Sequence, residues 1–366
     1  MVTQNIHVGK AWLNDNYGPG ATFIANRASG LLFSFLKALG REGTGVIIPA
    51  SSCHALAQTV ILANYIPVFA DIEIHDLNMS LSNLLVAHSN SDCEVSVCIA
   101  VHSYGNFCVL DEIQKYCLEN EIILVEDACQ LTGSGHEGRS GDIVLTSFGY
   151  SKPINIGGGG GMLIRSPLLQ NLESSVQDSD DAEPSFPAEG SKFKSDYYSL
   201  RNLEFTHEIS RGLLNSLTSK YTDFILHGGS LPLWNEFTGQ IESLNDRNME
   251  RRRKAKILSD ALSNVPGIQL LQESSNSVPW RYCFLVENVD HQIELTSKLR
   301  SEISHVSNWY PNLAQDFPGR NIDNTPNSTR VEKSIINLWI DDVANAEYLS
   351  KTIEIITTFF RRGIRK

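Results

Sequence analysis

The chain has 366 residues, of which 42% are hydrophobic and 20% charged, a balance typical of an ordinary folded globular protein. The formal net charge of −12 and the isoelectric point near 5.3 argue against a nucleic-acid partner, because nucleic-acid binding needs a basic face. No run of about 18 apolar residues predicts a membrane span, and the first residues lack the apolar region of a secretion signal.

The seven cysteines form no CxxC pair and mostly stand inside apolar runs such as SVCIAV and YCFLV. We therefore expect buried free thiols in a reducing compartment, and hence a cytoplasmic protein. The ten histidines are scattered, and we found no spacing typical of metal ligands.

Residues 1–26 are predicted to be short and irregular, with a turn at Gly18 to Gly20. The next stretch, ANRASGLLFSFLKALGREG, is predicted to be a helix because its apolar residues recur at helical spacing. Ser29 suits the N-cap position just before them. Such a helix start can bind phosphate through free N–H groups, although a capped core helix is the simpler interpretation of this stretch alone.

Two strand–helix–strand patterns follow, over residues 44–73 and 95–128. Within the first, Cys53 is interpreted as small apolar filler rather than as a reactive nucleophile. His102 follows a strand of the second and by position faces the edge where open α/β sheets bind ligands. A single histidine is more often a satisfied structural residue, so both roles remain open for His102.

The stretch from Val125 to Leu163 carries the strongest signal. Asp127 comes shortly after the apolar run IILV. Ser147 stands near the end of the apolar run IVLTSF, Lys152 comes four residues after that run, and five glycines follow. Short apolar runs of this kind indicate buried parallel strands, whose carboxyl ends meet at one crevice. An acid, a hydroxyl and one lysine there suit a phosphorylated aldehyde cofactor: the lysine forms a Schiff base, the acid pairs with a pyridinium nitrogen and the hydroxyl takes the phosphate.

Residues 164–235 are predicted to contain an exposed, irregular acidic loop, QDSDDAEPSFPAEGSKFKSD. A long amphipathic helix starts at about Asn235, and strands alternate with helices from there to the end of the chain. This alternation predicts a small α/β domain over residues 236–366, after a large domain over residues 1–235.

Three motifs in order, EDACQ, SFGYSK and GGGGGM, resemble the pyridoxal-phosphate core of the DegT-type sugar aminotransferases. That family reads roughly E-D-x-x-Q/H, S-F-x-x-x-K and G-E-G-G. The resemblance implies the aspartate-aminotransferase-like fold, PLP fold type I, with a large, mostly parallel sheet domain and a small α/β C-terminal domain. It also implies a homodimer with the site at the subunit interface.

The resemblance assigns roles to the site residues. Lys152 would hold pyridoxal 5′-phosphate as a Schiff base, Asp127 would pair with the ring nitrogen, and Gln130 would lie near the ring hydroxyl. The family's phosphate cradle, S-G-T-x-A-L, falls on residues 27–32. Ala28 stands there in place of the glycine and Ser29 in place of the threonine, and both would bind the phosphate together with Ser147.

Several positions depart from the family's pattern. The aromatic residue that stacks on the cofactor ring falls at Cys53, so that either the neighbouring His54 supplies a π-face or the ring packs more loosely. The position of the asparagine that reaches the partner's phosphate falls within residues 226–230, where His227 and Ser230 are both candidates.

Substrate contacts are implied for three positions. In the family the strand end that carries His102 lines the site, and HVSNWYPNL resembles the family's V-x-V-H-Y-P-P-L. Trp309 replaces the histidine of that motif, and Tyr310 is retained.

The resemblance implies an aminotransferase that moves an amino group from glutamate or glutamine to a keto group of a nucleotide-activated sugar. Members that dehydrate sugars carry histidine where this chain has Lys152, which favours amine transfer. Two alternatives remain: a PLP enzyme acting on a non-sugar ketone, and a PLP-binding regulatory protein without turnover.

Overall fold

The computed structural model of the protein describes residues 2–176, 187–201, 207–228 and 232–363. The helices and strands around its first sheet are α1 (Val2–Tyr17), β1 (Ala21–Ala25), α2 (Ala28–Leu39), β2 (Gly45–Pro49), α3 (His54–Leu62), β3 (Ile66–Ala70), α4 (Leu81–Ser89), β4 (Val95–Val101), α5 (Asp111–Glu119), β5 (Ile123–Asp127), β6 (Ile143–Ser147) and β7 (Gly160–Ile164). Those that follow are α6 (Pro187–Arg201), α7 (His207–Lys220), α8 (Thr222–His227), α9 (Phe237–Glu242), α10 (Leu244–Leu262), β8 (Ile268–Leu270), β9 (Arg281–Val286), α11 (Val289–Ile303), β10 (Val306–Ser307), α12 (Leu313–Asp316), α13 (Pro326–Ser334), β11 (Ile335–Trp339) and α14 (Ala346–Gly363).

The first sheet has seven strands in the order β1-β7-β6-β5-β4-β2-β3. The strands from β6 to β3 pair in parallel, whereas β7 is antiparallel to both β6 and β1. The inner strand β4 is buried along its whole length, as expected for a strand covered on both faces. The predicted large, mostly parallel sheet is therefore confirmed.

The N-terminal residues are more regular than the sequence indicated. They form α1 and the edge strand β1, so the prediction of a short irregular segment is wrong over most of its length. Trp12 and Leu13 of α1 are buried in one cluster with Phe148 and Trp234. Tertiary packing stabilises this helix, and its sequence alone has no clear apolar stripe.

The region after the first sheet is also more helical than predicted. Residues 187–196 of the expected exposed loop belong to α6, which continues to Arg201. Phe193 and Tyr197 of this helix are buried in the main core, which explains why the segment is ordered. The acidic run at residues 178–183 lies outside the described residues.

The second sheet has four strands in the order β10-β11-β9-β8, and each pair is antiparallel. The predicted long helix is interrupted at Ser243 and forms α9 and α10. Phe237 and Leu244, at the start of these helices, pack with the first-sheet cluster. The domain boundary at residues 235 and 236 stays a prediction.

The seven cysteines are all free thiols, and five of them are buried. Across the described ranges, no helix has both the length and the apolar character needed to cross a membrane.

One carboxylate ties the two sheet regions together. Asp71, just after β3, accepts hydrogen bonds from the backbone N–H groups of Asn327 (2.9 Å) and Ser328 (2.8 Å). Its Oδ1 also accepts from the Ser328 hydroxyl at 2.8 Å. These N–H groups belong to the first turn of α13, where a helix has no internal acceptors. Asp71 thus caps a helix that is remote in the sequence.

We expect Asp71→Ala to lower the free energy of unfolding by roughly 2 kcal/mol, because buried donors at the start of α13 lose a charged acceptor. Denaturant titration measures this change. Asp323→Ala, at an exposed position of the preceding loop, is the matched control and should change stability by less than about 0.5 kcal/mol. Equal stability of the two variants would contradict the capping role.

Candidate active site

A cavity of about 420 Å³ lies at the carboxyl ends of β5 and β6, opposite the start of α2. It is lined by most of the site residues predicted from the sequence: Ala28, Ser29, Cys53, Asp127, Gln130, Ser147 and Lys152. The parallel strands bring the acid, the hydroxyl and the lysine to one edge of the sheet, as the sequence predicted. The first three glycines of the run, residues 157–159, complete the wall.

The two polar side chains after β5 are held by backbone groups. Asp127, which is 5% exposed, accepts a hydrogen bond at Oδ1 from the backbone N–H of Cys129 at 2.9 Å. The Oε1 atom of Gln130 accepts from the backbone N–H of Tyr104 at 2.8 Å. This contact fixes the orientation of the Gln130 amide group at the wall of the cavity.

The negative field of Asp127 acts on its neighbour. Burial, and then the charge of Asp127, raise the pKa of the Cys129 thiol well above its ordinary value. Cys129 is therefore a neutral thiol and not a second nucleophile in the cavity.

The start of α2 forms the opposite wall. Arg27 is the N-cap residue and Ser29 lies in the first helical turn, so the prediction that Ser29 caps this helix is wrong. The Ser29 hydroxyl instead donates to the carbonyl oxygen of Ile225 at 2.6 Å, which ties α2 to α8. The N–H groups of a first turn have no intrahelical acceptor and attract an anion.

A glycine allows this wall to approach the sheet. A Cβ atom at Gly160, the first residue of β7, would collide with the backbone nitrogen of Ala28. The glycine run therefore has a steric role: without a side chain at Gly160, the antiparallel strand β7 can lie close to the start of α2. On the sheet side, the Ser147 oxygen accepts from the backbone N–H of Gly149 at 3.4 Å.

Lys152 is positioned by a residue that the sequence interpretation missed. The Trp280 indole N–H donates to the carbonyl oxygen of Ser151 at 2.5 Å, and Lys152 Nζ lies 4.8 Å from the centroid of the Trp280 ring. Ser151 has a φ of 65°, a left-handed conformation that a residue other than glycine rarely adopts. Within the described part of the chain, no carboxylate forms an ion pair with Lys152. Its amine faces the cavity over an aromatic ring.

A second cavity of about 290 Å³ shares part of its wall with the first. Trp309 and Tyr310, both predicted to contact substrate, line this second cavity. The Tyr104 hydroxyl fixes them by accepting from the backbone N–H of Tyr310 at 2.6 Å and by donating to the carbonyl oxygen of Trp309.

Cys53 and His54 are neighbours in the chain but differ in the cavities that they line. Cys53 lines both cavities, whereas His54 lines only the second. The His54 ring stacks on Tyr197 and Phe193, with centroid distances of 4.8 and 5.6 Å. The interpretation in which His54 supplies a π-face to a ring bound beside Asp127 is therefore not supported.

His102 is a structural residue. It is fully buried, and its Nε2 lies 2.9 Å from Glu126 Oε1 while its Nδ1 accepts from the backbone N–H of Cys108 at 3.0 Å. It lines neither cavity, so the structure argues against a substrate contact. Two candidates were named near residue 227. His227 ends α8, and its buried Nδ1 has no hydrogen-bond partner among the residues that the structure describes. Ser230 lies outside these residues.

The comparisons with known proteins agree with this architecture. The model of the DegT/DnrJ/EryC1/StrS aminotransferase family matches residues 20–179. The chain is 33% identical over 157 residues to the protein MosB of Rhizobium meliloti, a match that covers 42% of this chain and 30% of MosB. It is 29% identical over 154 residues to the GDP-perosamine synthase of Vibrio cholerae, which covers 41% of each chain. Each match thus spans less than half of the relative's length.

A solved structure extends the similarity of fold beyond this segment. A DegT DnrJ EryC1 StrS aminotransferase from Brucella abortus superposes with a TM-score of 0.72 at 19% identity, over 97% of this chain and 90% of that one. The fold is therefore shared along nearly the whole chain.

The buried Glu126 carboxylate makes a pH-dependent contribution to stability. Burial alone would raise the pKa of Glu126, but hydrogen bonds from His102 and from the backbone N–H groups of Gly141 and Ser140 lower it to about 2. The unfolded chain has the ordinary value near 4.5. The stabilisation is therefore complete above about pH 5 and is lost as the pH falls through 2.

We expect Glu126→Gln to remove this part of the pH dependence, which amounts to a few kcal/mol between pH 5 and pH 2. Urea titrations at several pH values measure it. The exposed Glu242→Gln should keep the wild-type slope. A Glu126→Gln protein with an unchanged acid slope would contradict the assignment.

Proposed function

We propose that the protein is a pyridoxal-phosphate-dependent aminotransferase of the DegT/DnrJ/EryC1/StrS family, whose model matches residues 20–179. It moves an amino group from glutamate or glutamine to a keto group of a nucleotide-activated sugar. The observation that carries the proposal is the meeting of Asp127, Lys152 and the start of α2 around one cavity.

The residues present fit the cofactor. The cavity offers a lysine amine without a carboxylate partner among the described residues, a buried carboxylate, and a helix start facing a hydroxyl. These groups match an aldehyde, a pyridine nitrogen and a phosphate respectively. The close approach of Gly160 to Ala28 shapes the phosphate end. When bound, pyridoxal 5′-phosphate supplies an electron-withdrawing ring that stabilises negative charge at the α-carbon of an amino acid.

Each residue then has a defined task. The Lys152 amine would hold the cofactor's aldehyde and, when free, would accept and return the proton of the substrate α-carbon. Asp127 would keep the ring nitrogen protonated, since an opposite charge favours the charged form. Ser147 and the first-turn N–H groups of Ala28 and Ser29 would bind the phosphate. Gln130 would lie near the ring hydroxyl.

The second cavity and the relatives support the proposed substrates. The relative named as a GDP-perosamine synthase supports a nucleotide-linked sugar as the amino acceptor. Trp309 and Tyr310 line a space that opens directly beside Lys152, where an acceptor has to reach the amine. His102 has no place in this substrate site, because it is buried against Glu126.

We also propose a homodimer in which the partner subunit completes the phosphate site. Closed two-fold dimers are the commonest oligomers, and Gly228, next to His227, lines the cavity. The cytoplasmic location expected from the seven free thiols is part of the same proposal.

Lys152 is expected to carry the cofactor covalently. Borohydride reduction of the loaded protein should fix one cofactor on the peptide that contains Lys152, as seen by mass spectrometry, and Lys152→Arg should abolish this attachment. Lys194→Arg, which alters another lysine of the second cavity, is the control and should keep it. Attachment at another lysine, or none in the wild type, would refute the assignment.

Asp127→Asn tests the electron-withdrawing role. It keeps the shape of the side chain but removes the charge, so the ring nitrogen should hold its proton less firmly. We expect glutamate to bleach the absorbance of the bound cofactor ~100- to 1000-fold more slowly in single-turnover kinetics, with the cofactor still bound.

The exposed Asp111→Asn is the matched control and should react at the wild-type rate. A wild-type rate in Asp127→Asn itself would make Asp127 a structural residue only.

A second experiment identifies the amino acceptor. The enzyme with its cofactor in the aminated form is mixed with nucleotide-sugar ketones or with simple keto acids, and single turnovers show which ketone accepts the amino group.

A further inference from the structure

Arg27 lies where the two cavities join. It lines both of them, as do Cys53, Tyr150, Lys152 and Phe224. The residues predicted to bind phosphate, Ala28, Ser29 and Ser147, line the first cavity only. The Arg27 side chain therefore extends past the phosphate end towards the space beside Lys152.

The guanidinium of Arg27 pairs with a backbone carbonyl and an aromatic ring. Its Nη1 donates to the carbonyl oxygen of Phe224 at 2.7 Å, and its Cζ lies 5.2 Å from the centroid of the Phe224 ring. Among the residues that the structure describes, no carboxylate forms an ion pair with it. Burial lowers the pKa of Arg27, and the nearby Cys53 thiol acts in the opposite direction.

Arg27 is half-buried, and a guanidinium that is partly removed from water is stabilised by an anionic partner. A guanidinium carries several N–H donors in a rigid plane, of which the Phe224 carbonyl takes one. The remaining donors suit a carboxylate, which can bind in a bidentate manner.

The second cavity is suited to an anion. Among the described residues that line it, the charged side chains are Arg27, Lys152 and Lys194, and none carries a carboxyl group. Along these residues, an anionic group meets no like charge until it reaches Asp127 in the first cavity. An anionic ligand that enters the second cavity can therefore reach Arg27.

We propose that Arg27 binds a carboxylate group of the amino donor and so selects amino acids as donors. This inference rests on the proposed function, because a donor whose amine is close to Lys152 has its carboxylate at the junction of the cavities. The competing anion is the cofactor's phosphate, whose predicted ligands line the first cavity only.

The test compares Arg27→Gln and Arg27→Lys with Arg253→Gln, in which an exposed arginine paired with Glu250 is changed. Calorimetry measures the binding of succinate, an unreactive dicarboxylate, to the loaded proteins, and fluorescence titration measures the Kd of the cofactor. We expect succinate binding to weaken at least ~30-fold in Arg27→Gln and less in Arg27→Lys, which keeps the charge. The cofactor Kd should change by less than about threefold, and Arg253→Gln should match the wild type in both titrations.

Three results would overturn the inference. A raised Kd for the cofactor with unchanged succinate binding would assign Arg27 to the phosphate. Unchanged values for both ligands would make it a structural partner of Phe224. If Arg27→Gln does not fold, Arg27→Lys decides: succinate affinity equal to that of the wild type is then the contradicting result. A wild-type protein that binds no cofactor would fail the proposed function itself, which the cofactor titration shows separately.

Discussion

The position of Lys152 depends on one hydrogen bond between the two sheet regions, from the Trp280 indole to the carbonyl oxygen of Ser151. Trp280 directly precedes β9 of the second sheet, whereas Ser151 belongs to the loop after β6 of the first. Ser151 has a left-handed backbone conformation, which costs about 1 kcal/mol or more and therefore needs tertiary support. The direction of the lysine amine follows from how the second sheet packs against the first, so neither part of the chain forms the site alone.

The two cavities differ in the charges that line them. The first cavity combines Asp127 with Lys152, whereas the second is lined by cations and aromatic rings. This local positive charge stands against a whole-chain charge of −12. An anionic substrate is therefore attracted specifically to the cavity rather than to the protein as a whole. Arg27 is the residue at which the two environments meet.

The sequence predicts the parts of the site that depend on strand order, and it misses those that depend on long-range packing. Asp127, Ser147 and Lys152 were found because short apolar runs end just before or at them, and the parallel pairing of β5 with β6 brings them together. Arg27 and Trp280 were missed because their partners, Phe224 and Ser151, are 197 and 129 residues away in the chain. The helix α1 was missed for a similar reason, since its burial against the first sheet stabilises it.

A crystal structure of the protein grown with pyridoxal 5′-phosphate would show directly whether Lys152 and Asp127 hold the cofactor. We expect electron density that is continuous from Lys152 Nζ to the aldehyde carbon, with the ring nitrogen within hydrogen-bond distance of the Asp127 carboxylate. We also expect the phosphate on the first-turn N–H groups of Ala28 and Ser29 and on the Ser147 hydroxyl. A cofactor bound away from Asp127, or with its phosphate far from the start of α2, would refute these assignments.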